Sequence, residues 1–201
     1  MDMEWYEDGQ RWHSEDFGRA HQGRVRALLA DGCEPKPVFF AVGSSGHVPS
    51  SDEWWIYDGT LGAPRADTLC AACACGWRGT GRLALDWDRT ENLRDDVDVH
   101  ALREEWTSHL ARVEARTVPL PEGLDDQLAL LTDTLGRLAD DAPLAAMKAA
   151  ARLERLAHGV GHRAAYGLDV DDETSWETMA TGLGTTVEEA RARWRTYLLD
   201  R

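Results

Sequence analysis

The chain has 201 residues, a formal net charge of −14 and a hydrophobic content of 43%. This length allows one ordinary domain or two small ones, and neither a signal-peptide-like run nor the roughly 20 apolar residues of a membrane-spanning helix is present, so we expect a cytoplasmic protein without membrane contact. The acidity argues against non-specific binding to nucleic acid, because that binding depends on lysine and arginine displacing counterions.

The N-terminal part is predicted to form a small antiparallel sheet preceded by a short helix. Apolar residues with helical spacing place that helix over residues 20–30. β-Branched and aromatic residues then predict three strands, at residues 38–42, 54–57 and 65–72. The loop after the first strand carries His47, which we interpret as exposed to solvent.

Three of the four cysteines, Cys70, Cys73 and Cys75, fall within six residues at the end of the third predicted strand. In a reducing compartment such a cluster indicates a metal site rather than disulfides. Gly76 permits a tight turn, so the thiolates can converge on one tetrahedral zinc ion. Cys33 is interpreted as a lone buried thiol, because free cysteine is among the most buried residue types.

The fourth ligand is predicted from the phase of a helix over residues 98–116. Its apolar stripe contains Leu102, Trp106 and His109, whereas His100 lies roughly on the opposite side. His109 is therefore the predicted fourth ligand, because it lies on the apolar side of the helix. The predicted ligand set is Cys70, Cys73, Cys75 and His109. One alternative stays open, in which Cys70 packs within its strand and His100 or a carboxylate takes its place.

The cysteine turn also carries a resemblance to a known group of proteins. The sequence Cys73-x-Cys75-Gly-Trp77, followed by a helix with Trp106-x-x-His109, resembles uncharacterised actinobacterial proteins that pair a CxCGW zinc-binding element with a C-terminal helix-turn-helix. The resemblance implies a zinc-dependent fold and a DNA-associated role. It implies no particular enzymatic activity.

A segment rich in proline and glycine, residues 117–123, predicts the boundary between two domains, 1–118 and 119–201. Beyond it, leucines at three- and four-residue steps predict amphipathic helices over 124–140 and 143–166, with Pro143 in the first turn of the second. Apolar stripes of this kind are typical of bundle or dimer packing. His158 and His162, on the second helix, are interpreted as surface residues.

The C-terminal segment, residues 174–194, resembles the helix-turn-helix of bacterial regulators and of sigma factor region 4. The correspondence lies at Ser175-Trp176, Met179-Ala180, Leu183-Gly184, Ala190 and Arg193-Trp194. A small residue suits the crossing of two helices, and glycine suits the sharp turn. Two capping boxes, Thr174-x-x-Glu177 and Thr186-x-x-Glu189, predict where the two helices begin.

In such motifs the second helix faces the major groove, and the outward residues here are Thr186, Glu188, Arg191 and Arg195. Both arginines can contact phosphates or guanine edges. Glu188 would approach the phosphates and repel them, which weakens the case for DNA binding.

Together these features predict an α+β protein. A small zinc-stapled antiparallel sheet with a helix forms the N-terminal side, and an all-α bundle with the helix-turn-helix forms the C-terminal side. The expected function is a zinc-containing regulator that binds double-stranded DNA, with a homodimer supplying affinity. The alternative is a protein-binding module that uses an acidic, tryptophan-rich surface of the N-terminal part. An enzyme is less favoured, because a Cys3His shell leaves no position for water.

Overall fold

The structure is a computed structural model that describes residues 11–14, 16–40, 50–88, 97–168 and 176–199. It confirms an α+β fold with a small antiparallel sheet. The chain divides into two compact units, Met1–Ala115 and Arg116–Arg201, a boundary three residues before the predicted one. Among the described residues, no helix has both the length and the apolar character needed to cross a bilayer.

The described residues of the first unit form six short strands and two 3-10 helices in addition to one α-helix. In chain order the strands and 3-10 helices are β1 (Arg11–Trp12), η1 (Gly18–His21), β2 (Gly23–Leu28), β3 (Val38–Phe39), β4 (Ser50–Ser51), η2 (Trp54–Ile56), β5 (Thr68–Cys73) and β6 (Leu83–Ala84). The main sheet has the order β1-β2-β5-β6 and is antiparallel throughout, and β3 pairs with β4 separately.

The helix predicted over residues 20–30 is wrong, because most of that segment is strand β2. Its residues alternate between arginine and apolar side chains, with Arg24 and Arg26 on one face and Val25 and Ala27 on the other. A period of two residues is the pattern of a strand with one buried face. The alternation therefore prevails over the weaker helical spacing of the same apolar residues.

Other predictions in this unit have mixed outcomes. The strand predicted at 54–57 is wrong, since Trp54–Ile56 forms a 3-10 helix. The first predicted strand is present as Val38–Phe39, and its remainder and His47 lie outside the described residues. Cys33 is exposed, contrary to its interpretation as a buried thiol.

Helix α1 (His100–Glu114) confirms the predicted helix and covers one face of the sheet. Register places Val25 opposite Ala71 and Ala27 opposite Leu69, and all four side chains are buried. The helix adds the buried side chains of Leu102 and Trp106 to this core. Burying these side chains supplies the main stabilisation of the unit.

The described residues of the second unit form four helices, α2 (Leu124–Asp141), α3 (Pro143–Gly167), α4 (Trp176–Gly182) and α5 (Val187–Leu199). The first two confirm the predicted amphipathic pair. Between α4 and α5, Gly184 has a positive φ of 59°, and the Thr185 N–H donates to the Ala180 carbonyl at 2.9 Å. Ala180 and Ala190 are buried where these two helices pack together.

Candidate metal centre

A tight turn at the end of β5 carries two of the predicted ligands, Cys73 and Cys75. The Gly76 N–H donates to the Cys73 carbonyl at 3.0 Å, and the Cys73 N–H donates to the Trp77 carbonyl at 2.9 Å. Gly76 has a φ of 96°, a conformation that favours glycine. The sequence Cys-x-Cys-Gly therefore folds back sharply and brings both sulfurs to the same side.

Two imidazoles complete the cluster, one from each of two other segments. His109 lies on the apolar side of α1, as predicted, and its Nε2 is 3.4 Å from the Cys75 sulfur. His21 is the last residue of η1, and its Nδ1 is 3.6 Å from the Cys73 sulfur. One ligand atom from each of His21, Cys73, Cys75 and His109 lies within 4.8 Å of all the others, a group positioned to hold a metal ion.

The sulfur–nitrogen distances fit tetrahedral zinc. With Zn–S bonds of about 2.3 Å and Zn–N bonds of about 2.0–2.1 Å, a tetrahedral angle separates sulfur from nitrogen by about 3.5–3.6 Å. The two separations in the structure, 3.4 and 3.6 Å, agree with this spacing. The donor set is consistent with zinc without identifying the metal.

The cluster differs from the predicted set at one position, where His21 replaces Cys70. Cys70 and Cys73 are three residues apart on one strand, so their side chains point to opposite faces of the sheet. Cys70 lies opposite Arg26 in the register of β2 and β5, and it is buried away from the other thiols. The alternative ligand, His100, is exposed and lies 3.5 Å from the carboxylate of Glu104.

Sequence reasoning missed His21 because residues 20–30 were predicted to be helical. The arginine-apolar alternation of residues 24–27 was the available signal. A strand there, paired antiparallel with the cysteine strand, sets Gly23 opposite Cys73 and places His21 close beside the thiols.

Neighbouring groups hold the ring of His109 and the backbone of His21. The imidazole of His109 stacks on the Trp77 indole, with ring centroids 4.4 Å apart and planes within 4°. The Trp106 indole N–H donates to the His21 carbonyl at 3.1 Å in a buried contact. The Ala74 N–H donates to the Gln22 carbonyl at 2.9 Å, which connects the cysteine turn to the segment that carries His21.

A carboxylate on α1 connects this helix to the segment that follows the cysteine turn. The Glu105 carboxylate accepts the Thr80 N–H at 2.7 Å, the Thr80 hydroxyl at 3.0 Å and the Gly81 N–H at 3.2 Å. Partial burial raises the pKa of Glu105, but these hydrogen bonds outweigh it and leave the pKa below its usual value. Glu105 is one helical turn before His109, so this contact helps to position the ligand.

The environment of the cluster favours the protonation state that metal binding requires at Cys75 and His109, but not at Cys73. The hydrogen bond between the two thiols lowers the pKa of Cys75 and raises that of Cys73, so one thiolate is stabilised beside a neutral thiol. Burial lowers the pKa of His109 and favours its neutral ring. A neutral imidazole and an ionised thiol are the forms that ligate zinc, and a bound cation would ionise the second thiol.

The predicted DNA-facing residues lie on and just before α5. Thr186 caps the helix, because its hydroxyl accepts the Glu189 N–H at 3.2 Å. Glu188, Arg191 and Arg195 are all exposed. The Arg191 guanidinium carbon lies 5.3 Å from the centroid of the Trp176 ring, which helps to orient that side chain.

Comparisons with known proteins add no family to this description. No protein-family model, curated protein or solved structure matches the chain. The geometry of the four side chains therefore carries the functional argument.

Proposed function

We propose that His21, Cys73, Cys75 and His109 bind one structural zinc ion. The observation that carries this proposal is the match between the two sulfur–nitrogen distances, 3.4 and 3.6 Å, and the edge of a zinc tetrahedron. Cys73, His21 and His109 are buried, and Cys75 is half-buried. Burial and four protein ligands are typical of a site that stabilises a fold rather than one that activates water.

The zinc would connect three segments that are distant in the sequence. It would join the end of η1, the turn after β5 and the middle of α1. The strands of this unit contain between two and six residues each, so a metal ligated from three elements would contribute directly to folding.

Metal analysis of the full chain tests this role. We expect about one tightly held zinc per chain, and loss of cooperative unfolding after exhaustive chelation at neutral pH. The double variant Cys73→Ser, Cys75→Ser should lack zinc, whereas Cys33→Ser, at an exposed cysteine outside the cluster, should retain it. A chelated protein that unfolds with unchanged cooperativity would reject the structural role.

We further propose that the second unit binds double-stranded DNA through α5, so that the protein acts as a zinc-containing transcriptional regulator. The support is the exposure of Arg191 and Arg195, one turn apart on the side of α5 away from the buried Ala190. The Glu189 carboxylate accepts a hydrogen bond from the Thr185 hydroxyl at 2.6 Å, just before the start of α5. Of the two glutamates in the first turn of α5, Glu188 is therefore the one whose charge would repel the DNA phosphates.

Selection from a random-sequence duplex library, followed by band-shift titration with the enriched duplex, tests this proposal. We expect the double variant Arg191→Ala, Arg195→Ala to lose the shift. The matched control Arg193→Ala, on another side of the same helix, should retain it. Glu188→Gln should tighten binding, because it removes a repulsive charge. Failure to enrich any duplex, or a shift that ignores both arginines, would contradict the proposal.

The second candidate function is binding to a protein such as a polymerase or another regulator through the acidic N-terminal part. Residues 1–150 contain 15 basic and 27 acidic side chains, an excess that favours a basic partner surface. None of the described tryptophans is exposed, so an acidic surface rather than an aromatic one would make the contact. Retention on immobilised polymerase without any duplex selection would favour this function over DNA binding.

A further inference from the structure

Both cysteines of the metal centre lie on one turn, and their sulfurs lie within 4.8 Å of each other. Two Cα atoms separated by one residue are at most about 7 Å apart, and a turn shortens that distance. The Gly76 N–H donates to the Cys73 carbonyl at 3.0 Å and closes such a turn. A disulfide needs Cα atoms about 4.4–6.8 Å apart, so this turn is compatible with a bond between Cys73 and Cys75.

The two sulfurs of the cluster differ in their access to solvent. Cys73 is 4% exposed, whereas Cys75 is half-buried. A dissolved oxidant therefore reaches Cys75 more readily, and Cys73 is the neighbouring thiol that can react next. Cys70 cannot take that place, because it is buried with its side chain on the opposite face of the sheet. Cys33 lies outside the cluster.

Oxidation of this pair of cysteines removes half of the donor set. The thiolate is the form of cysteine that ligates a metal, and a disulfide contains none. His21 and His109 remain, which are only two of the four ligands of a structural zinc site. A disulfide between residues of the same turn does not replace the link from that turn to η1 and α1. The ion and the stability that it confers on the first unit are therefore lost together.

We propose that Cys73 and Cys75 form a redox modification site, at which hydrogen peroxide converts two zinc-bound thiolates into a disulfide and releases the ion. This inference rests on the proposed zinc site and does not depend on DNA binding.

The reaction has two steps. The Cys75 thiolate attacks one peroxide oxygen, the O–O bond breaks, hydroxide leaves, and Cys75 becomes a sulfenic acid. The Cys73 thiolate then attacks the Cys75 sulfur, the S–O bond breaks, and a second hydroxide leaves. The two thiolates lose the two electrons that the peroxide gains. The products are one disulfide, one zinc ion and two hydroxide ions.

Peroxide treatment of the zinc-loaded full chain, with a chromophoric chelator present, measures the release. We expect about one zinc per chain to be freed. The mass of the chain should fall by about 2 Da, because a disulfide forms with the loss of two hydrogens. After the peroxide is removed, a phosphine reductant and fresh zinc should restore the bound metal, since a disulfide is reducible and a sulfinic acid is not.

A variant with two cysteines assigns the bond. Cys33→Ser with Cys70→Ala leaves Cys73 and Cys75 as the remaining cysteines of the chain. This variant should release zinc as wild type does. Its mass loss of about 2 Da should fall in the tryptic peptide 66–78. Fragmentation of the same peptide from oxidised wild type locates the bond independently of the substitutions.

Zinc that stays bound in peroxide, release accompanied by sulfinic acid in place of the disulfide, or a disulfide that involves Cys33 or Cys70 would overturn the inference and leave the zinc site standing. A chain that holds no zinc before peroxide is added would contradict the zinc site itself, and this inference with it.

Discussion

The imidazole of His109 lies flat against the indole of Trp77, with ring centroids 4.4 Å apart and planes within 4° of parallel. Trp77 follows Cys75 by two residues, so the stack links His109 on the helix to the segment that carries the thiols. It holds the Nε2 of His109 at 3.4 Å from the Cys75 sulfur. The tryptophan of the Cys-x-Cys-Gly-Trp sequence thus positions the imidazole of His109 beside Cys75.

Replacing this tryptophan should weaken metal binding without removing a ligand. Trp77→Ala should reduce zinc affinity about 10–100-fold, the usual effect of losing a group that orients a ligand. Trp77→Phe keeps an aromatic face under the imidazole and should retain most of the affinity. Competition with a chromophoric chelator measures both, and equal affinities for all three proteins would contradict the positioning role.

Glu105 should stabilise the first unit through its contacts with Thr80 and Gly81. Glu105→Ala leaves two backbone N–H groups without their acceptor, so the free energy of unfolding should fall by about 1–2 kcal/mol. Glu104→Ala provides the matched control, because Glu104 is exposed and, among the residues that the structure describes, pairs with the exposed His100 alone. Urea denaturation of the zinc-loaded proteins compares them. An equal loss in both variants would show that the Glu105 contacts contribute nothing specific.

Gly23 lies where two tryptophans approach the sheet most closely. A Cβ at this position would come within 2.6 Å of Trp106 and 2.7 Å of Trp12. Gly23→Ala should therefore lower the free energy of unfolding by about 1–3 kcal/mol through overpacking. In the control Gly136→Ala, the new Cβ meets no atom within 4 Å, and alanine should favour helix α2 by about 0.5–1 kcal/mol. Thermal denaturation monitored by circular dichroism should show a lower melting temperature for Gly23→Ala and a higher one for Gly136→Ala.

The face of β2 opposite the metal centre should confer a separate pH dependence. Asp52 accepts hydrogen bonds from Arg24 at 3.1 Å and from Arg26 at 2.6 Å. Partial burial alone would raise the pKa of Asp52, but the two arginines outweigh that effect and lower it below the usual 3.8. A lowered pKa means that this stabilisation is fully present above pH 3.8 and is lost as the pH falls further.

Asp52→Asn removes the titrating carboxyl and tests this dependence. Wild type should exceed the variant in free energy of unfolding by about 1 kcal/mol at pH 7, and the gap should close below the lowered pKa. Urea denaturation at a series of pH values measures the gap. If the difference in free energy of unfolding between the two proteins stays constant below the lowered pKa, the effect of the substitution does not come from the carboxylate charge.

The sequence alone indicated most of the helices and three of the four residues that the structure brings together in the cluster. Amphipathic periodicity gave α1, α2 and α3, and helical phase singled out His109. The pattern of apolar residues did not predict the short strands correctly. Strand β2 contains apolar residues that satisfy both helical and alternating patterns, and pairing with β5 stabilises the alternating one.

His21 and Cys70 show why the members of the cluster could not all be predicted from the sequence. Their roles depend on which strand pairs with the cysteine strand and in what register, and neither is encoded within a short window of sequence. The sequence shows that Cys70 and Cys73 are three residues apart. Once the strand is known to extend through Cys73, this odd spacing places the two side chains on opposite faces of the sheet.

Zinc content of three purified proteins tests the central claim most directly. After dialysis against a weak chelator, wild type and Cys70→Ala should each retain about one zinc per chain, whereas His21→Ala should lose most of it, because it removes one of four ligands. The opposite pattern, with zinc lost from Cys70→Ala and retained by His21→Ala, would contradict the centre formed by His21, Cys73, Cys75 and His109.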